Sequence, residues 1–175
     1  MTQTQIEKRI IRLSKIANKE FKTHPARQPL AGAWLNNEGH QCICIGAWAV
    51  RYLKPTEGTI NAPAGDRIDL DKVFPTAVDE AKGFRIDLKR LKAKYDEVRK
   101  VMKCNLVSEI CGARFNVKLM LDVFTTIDGA TYFIVDTKHG EMLYAYGYNG
   151  EALLLPLRFS ENLPVIHKKE VRKCT

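Results

Sequence analysis

Three aspartates, Asp66, Asp69 and Asp71, form a D-x-x-D-x-D run directly after Gly65. Clustered carboxylate oxygens are what a hard cation such as magnesium or calcium binds. The calcium-loop spacing is absent and no glutamate closes the run at the required distance, so solvated loop carboxylates are the simpler expectation and no metal site is assigned. The cluster leaves one alternative function open, a metal-dependent enzyme acting on nucleic acid through the 66–71 loop. His40, Cys42 and Cys44 fall two apart, the strand spacing that puts side chains on one face. A thiol beside an imidazole is the arrangement of a cysteine nucleophile. Two neighbours on a hairpin is the plainer account of the same spacing. The chain holds five cysteines, an odd number in C-x-C rather than zinc-type spacing, which fits free thiols. Ser14, Ser108 and Ser160 sit in no glycine-rich elbow, and neither a P-loop nor a dinucleotide fingerprint is present. The residues therefore imply no catalytic group, no metal and no cofactor.

Charge is the stronger clue. Lys and Arg total 28 against 20 Asp and Glu, a formal net charge of +8. Such an excess suits an anionic partner, nucleic acid first. The cations concentrate on two helical patterns. In residues 4–22, Ile6, Ile10, Leu13, Ile16 and Ala17 recur at three- and four-residue steps, while Lys8, Arg9, Arg12, Lys15, Lys19 and Lys22 cover the other side. Residues 80–103 carry a second helix with Asp87 as a plausible cap, an apolar stripe through Leu88, Leu91, Tyr95, Val98 and Met102, and cations around the rest. The candidate DNA-binding residues are Lys8, Arg9, Arg12, Lys15, Lys19, Lys89, Arg90 and Lys92. A solvated helix face explains the same residues without a ligand. Tyr144, Tyr146 and Tyr148 share one strand face, where sheet packing is a better account than base stacking.

These residues need elements to hold them. Residues 30–35 form a strand, 36–39 a turn, and 40–53 a long apolar strand bent or interrupted near Gly46. Residues 55–75 are loop-like, with short strands at 58–61 and 67–70. Residues 105–111 feed a unit spanning 115–159. There Asn116 caps a short helix with Val117, Met120, Leu121 and Phe124 on one face, and strands follow at 130–136, 142–146 and 151–159, separated by turns at 138–140 and 148–150. Residues 160–175 read as a basic tail. The whole is one α+β domain over 1–159 with an insertion at about 55–104. No apolar run approaches the roughly 20 residues that span a bilayer, and the first residues lack the apolar stretch of a signal peptide, so a cytoplasmic protein without membrane contact is expected.

The 115–159 unit resembles the last module of the bacterial DNA sliding clamps, the β subunit of the replicative DNA polymerase III. That module opens on an F-N-x-x-Y-L-L-D helix and closes on an M-P-M-R strand. Phe115, Asn116, Val117, Lys118, Leu119, Met120, Leu121 and Asp122 stand for the first phrase, and Leu154, Leu155, Pro156, Leu157 and Arg158 for the second. Ala26, Arg27, Gln28, Pro29, Leu30, Ala31, Gly32 and Ala33 match the family phrase R-P-x-L-x-G, whereas Ile45 to Val50 lacks the Asp and Arg of the T-D-G-y-R-L strand. The resemblance implies a DNA-clamp-like fold: two helix-plus-antiparallel-meander halves with an inserted basic helix between them. It also implies helices facing duplex DNA and an apolar peptide pocket at Trp48, Val50, Leu154, Leu155, Pro156, Leu157 and Arg158. Replication or repair proteins would be the partners, and a homo-oligomer of about six copies would close a ring. The function so implied is non-enzymatic binding. A plain protein-interaction domain without DNA affinity is the remaining alternative.

Overall fold

The computed structural model describes residues 2–63, 66–137, 140–158 and 162–170. Gly65, Lys138, His139, Ser160 and Cys174 lie outside the described residues. The first helix, α1 (Gln3–Thr23), opens with a capping box in which Thr2 and Gln5 satisfy each other's backbone N–H groups, at 3.3 and 3.1 Å. Its buried face carries Ile6, Ile10, Leu13, Ala17 and Phe21, and it stops at His24, because Pro25 disfavours helix in the residue before it.

Three strands follow: β1 (Ala31–Leu35), β2 (Gln41–Ile45) and β3 (Trp48–Tyr52). The long strand expected over 40–53, bent or interrupted near Gly46, is interrupted there and folds back as a hairpin. Gly46 takes a φ of 81°, which an L side chain resists, and the chain reverses there inside an apolar run. No strand forms at 58–61 or 67–70; a short 3-10 turn, Leu70–Lys72, stands near the second. The long helix expected over 80–103 is shorter. Residues Glu80–Lys82 make a separate 3-10 turn, and α2 (Leu88–Val101) starts after Asp87, whose carboxylate accepts the Arg90 N–H at 2.9 Å.

The strands β4 (Val107–Ile110) and β5 (Ala113–Asn116) lead into α3 (Val117–Phe124), capped by Asn116 through the Leu119 N–H at 3.2 Å. Next come β6 (Thr131–Thr137), β7 (Gly140–Gly147) and β8 (Gly150–Leu154). β8 ends before Pro156 rather than running to 159, because proline has no N–H to give to a ladder.

One antiparallel sheet holds six strands in the order β1-β2-β3-β8-β7-β6. Its centre is the seam between β3 and β8, with Trp48 opposite Leu154 and Tyr52 opposite Gly150. Gly150 is required at that seam, since a Cβ there would sit 2.2 Å from the Arg51 carbonyl oxygen. The chain is therefore α+β, with α1–β1–β2–β3 and α3–β6–β7–β8 as two helix-plus-meander units joined through their third strands. Both helices cover one sheet face, where Leu13, Val50, Tyr52, Met120, Phe124 and Leu154 share a core. The other face is covered by the loop around Leu70–Lys72, which buries Leu70 and Phe74 against Cys44, Ala49, Tyr144 and Leu153.

The stretch read as a basic tail contributes β9 (Val165–Lys169), parallel to β4 in a second sheet ordered β5-β4-β9. Ile166 is buried, and the Val107 N–H donates to the Pro164 carbonyl at 2.9 Å. The body thus extends past 159. No helix among the described residues is long and apolar enough to cross a membrane.

Candidate nucleic-acid interface

On α1, Lys8, Arg12, Lys15, Lys19 and Lys22 follow one another at steps of four, three, four and three, which places them on a single stripe. Each is exposed. Each stands two residues, about 200° of helix, beyond the buried Ile6, Ile10, Leu13 or Ala17 or, for Lys22, just past Phe21. The stripe accordingly points away from the sheet. Lys8, Lys15, Lys19 and Lys22 form no ion pair among the described residues. Arg9 sits beside the stripe, half-buried, and donates to the Thr125 hydroxyl at the end of α3.

α2 lies near α3 and extends this surface. Arg9 and Arg12 from α1, Lys92 from α2 and Lys118 from α3 line one groove of about 250 Å³. Acidic groups temper it: Lys118 Nζ lies 2.6 Å and Arg12 Nη2 4.0 Å from Asp122, and Lys92 pairs with Asp96. Lys15, Lys19 and Lys22 line a second hollow of about 580 Å³ against residues 60–63. Of the remaining candidates, Lys89 is exposed on α2, and Arg90 turns into a different cleft, between α2 and β9. That cleft was not legible as a site from sequence, because its far wall is β9. The β-branched pair Val165 and Ile166, followed by His167, Lys168 and Lys169, was the available signal.

The peptide-pocket residues divide. Leu155 lines an apolar pocket of about 440 Å³ on the loop-covered sheet face, beside Leu30, Met142 and Leu153, and Trp48, although it borders this pocket, packs with the helix-side core. Val50 and Leu154 lie on the opposite face, in the core under the helices. Pro156 and Leu157 are half-buried and Arg158 is exposed, with the Leu157 N–H bonded to the Arg114 carbonyl at 2.8 Å. Period-two alternation in β8 is the cause, since consecutive leucines must face opposite ways.

The acidic loop is occupied with structure. Asp69 caps the Leu70–Lys72 turn through the Asp71 N–H at 3.1 Å and approaches Lys72 at 3.2 Å. Asp71 pairs with Arg51, which also binds Glu151 across the β3–β8 seam at 2.7 Å. Glu151 in turn accepts the Tyr144 hydroxyl at 2.6 Å, and burial raises the phenol's pKa. Among the described residues, no group of three or more His, Cys, Asp and Glu is placed to hold a metal ion. Burial pushes the Cys42 thiol up to about 12 and Cys44 up to about 11, far from thiolate character at neutral pH. His40 Nδ1 lies 3.0 Å from Glu38. Tyr144 and Tyr146 are spent on packing, the latter stacked on Phe133 with ring centres 5.8 Å apart, while Tyr148 is exposed.

No family model, curated protein or solved structure matches this chain.

Proposed function

We propose that this chain is a non-enzymatic nucleic-acid-binding protein of clamp-like architecture, gripping the phosphate backbone with the outward stripe of α1 and the adjoining groove on α2. One observation carries the proposal. Arg9 and Arg12 on α1 and Lys92 on α2, about 80 residues further along the sequence, line one groove that continues an otherwise unpaired line of lysines. Lysines spaced along a straight helix suit the regular charge of a duplex, and contact of that kind is independent of base sequence. The pairing of two helix-plus-meander units with both helices on one sheet face supports the clamp-like part of the proposal. Encirclement of DNA by a ring would need about six copies, which the solution mass with and without duplex reads directly.

The test is titration of a labelled duplex at low and at high salt. Wild type is expected to bind at low salt and to weaken steeply as salt rises. Lys15→Glu/Lys19→Glu is expected to lower low-salt affinity by about tenfold or more. Absence of binding at low salt would overturn the proposal and leave a protein-interaction domain.

A second reading has its own observation. The pocket beside Trp48 and Leu155 is apolar and partly open, with Leu30 and Leu155 both exposed. It fits an apolar anchor from a replication or repair protein. The metal-dependent enzyme has less support, because Asp69 and Asp71 are committed to a cap and an ion pair.

A further inference from the structure

We propose that the cleft between α2 and β9 binds a small phosphorylated ligand of about nucleotide size through its phosphate group. The cleft measures about 740 Å³, within the range of small-molecule sites. Its charged lining comprises Arg85, Arg90, Lys94, Lys168 and Lys169, against one carboxylate, Asp87. Asp87 is spent on the α2 cap. Ile86, Leu91 and Ile166 supply an apolar wall for the body of a ligand.

Three of the cations are held by the protein itself. Lys169 donates to the Arg85 carbonyl at 2.7 Å and lies over the Phe84 ring at 5.4 Å. Arg85 donates to the Gly129 carbonyl at 2.7 Å, and Lys168 pairs with Glu109 at 3.0 Å. Arg90 and Lys94 differ. They stand one turn apart on the same side of α2, and their side chains make no hydrogen bond or ion pair among the described residues. A guanidinium fork and an ammonium side by side are the usual grip on a phosphate.

His167 completes the site from the opposite wall. Its Nδ1 is 2.7 Å from the Ser108 hydroxyl on β4, which leaves Nε2 for a ligand. Burial first, then Lys169, Lys94 and Arg90, hold its pKa below the ordinary value. The groups facing it are Arg90, Lys94 and Asp87 from the α2 side, Lys168 and Lys169 from β9, Arg85 from the preceding segment, and Ser108 with the ion-paired Glu109 from β4. A dianion placed among these cations reverses the repulsion and favours the imidazolium, so binding takes up a proton and tightens as pH falls. The inference is independent of nucleic-acid binding by α1.

The experiment is calorimetry on the full chain at constant ionic strength. Sulfate is the probe for pH, because it remains a dianion throughout. Inorganic phosphate and adenosine monophosphate then distinguish the bare anion from a nucleotide. Wild type is expected to bind sulfate about threefold or more tightly at pH 6 than at pH 8. Arg90→Gln/Lys94→Gln is expected to lose about tenfold or more in affinity at both pH values, with its thermal midpoint unchanged. His167→Gln is expected to bind at pH 8 and to lose the tightening at pH 6. The nucleotide is expected to bind more tightly than phosphate through the apolar wall, and equal binding of the two would overturn the nucleotide-sized ligand. No heat with any probe up to about 20 mM, or unchanged binding by Arg90→Gln/Lys94→Gln, would overturn the proposal.

Discussion

α1 and α3 hold corresponding places in the two halves of the sheet, yet their surfaces differ. α1 runs for 21 residues and keeps one side fully exposed, with a cation at nearly every turn. α3 runs for 8 residues, buries Val117, Met120, Leu121, Val123 and Phe124, and carries a single cation, Lys118, neutralised by Asp122. A common architectural position therefore does not carry a common surface role. α3 belongs to the core, while α1 divides its sides between the core and solvent. The difference follows from length and burial. A two-turn helix wedged between a sheet and two neighbouring helices has few positions left to expose, whereas a six-turn helix on the outside has a whole stripe.

The largest effect expected from breaking this contrast is on stability. Phe124→Ala empties a fully buried site that packs edge-on against Tyr132 with ring centres 5.4 Å apart. It is expected to cost about 3–5 kcal/mol in urea denaturation, whereas Lys15→Glu/Lys19→Glu on α1 is expected to cost less than about 0.5 kcal/mol. Comparable losses from the two would contradict the division of roles.

α1 also has a buried tether. Asn18 accepts the Ala33 N–H at 2.9 Å and donates to the Ile60 carbonyl at 2.5 Å. Asn18→Ala strands both backbone groups and is expected to cost about 1–3 kcal/mol, read by the same denaturation.

A smaller effect should sharpen the contrast in binding. Asp122→Asn releases Lys118 and Arg12 from their shared partner. Duplex affinity at low salt is expected to rise about twofold to fivefold, which would bring α3 into the interface. No change would leave α3 outside the interface.

The smallest expected effect lies at His167 on β9, which belongs to neither half. The folded protein holds His167 below its ordinary value of 6.5. Its unfolded state therefore binds more protons in that window, and stability present above 6.5 declines as pH falls through it toward the folded value. The midpoint of thermal unfolding should fall on acidification, and His167→Gln should flatten that dependence.

Much of this arrangement was legible in the sequence. The 3.6-residue period of α1, the Asn116 cap of α3 and the Asp87 cap of α2 are local signals, and the structure places all three elements on them. The break near Gly46 was legible, but the reversal there was hidden because the two strands join into one apolar run and the backbone angle at the glycine turns the chain. β9 was hidden for a different reason. Its partner β4 lies more than 50 residues earlier and pairs in parallel, so no turn signal marks the pairing. The α2–β9 cleft was lost with it. The Arg51–Glu151 pair, likewise, became visible only when the β3–β8 seam set them opposite each other.

Lysine acetylation footprinting of the protein with and without saturating duplex DNA tests the central claim most directly, because it reports which face the nucleic acid covers. Protection of Lys8, Lys15, Lys19 and Lys92 is expected, with Lys72, exposed on the loop that covers the other sheet face, still reactive. Equal reactivity of the stripe lysines with and without DNA, or protection confined to Lys72, would contradict the assignment of α1 and α2 as the binding surface.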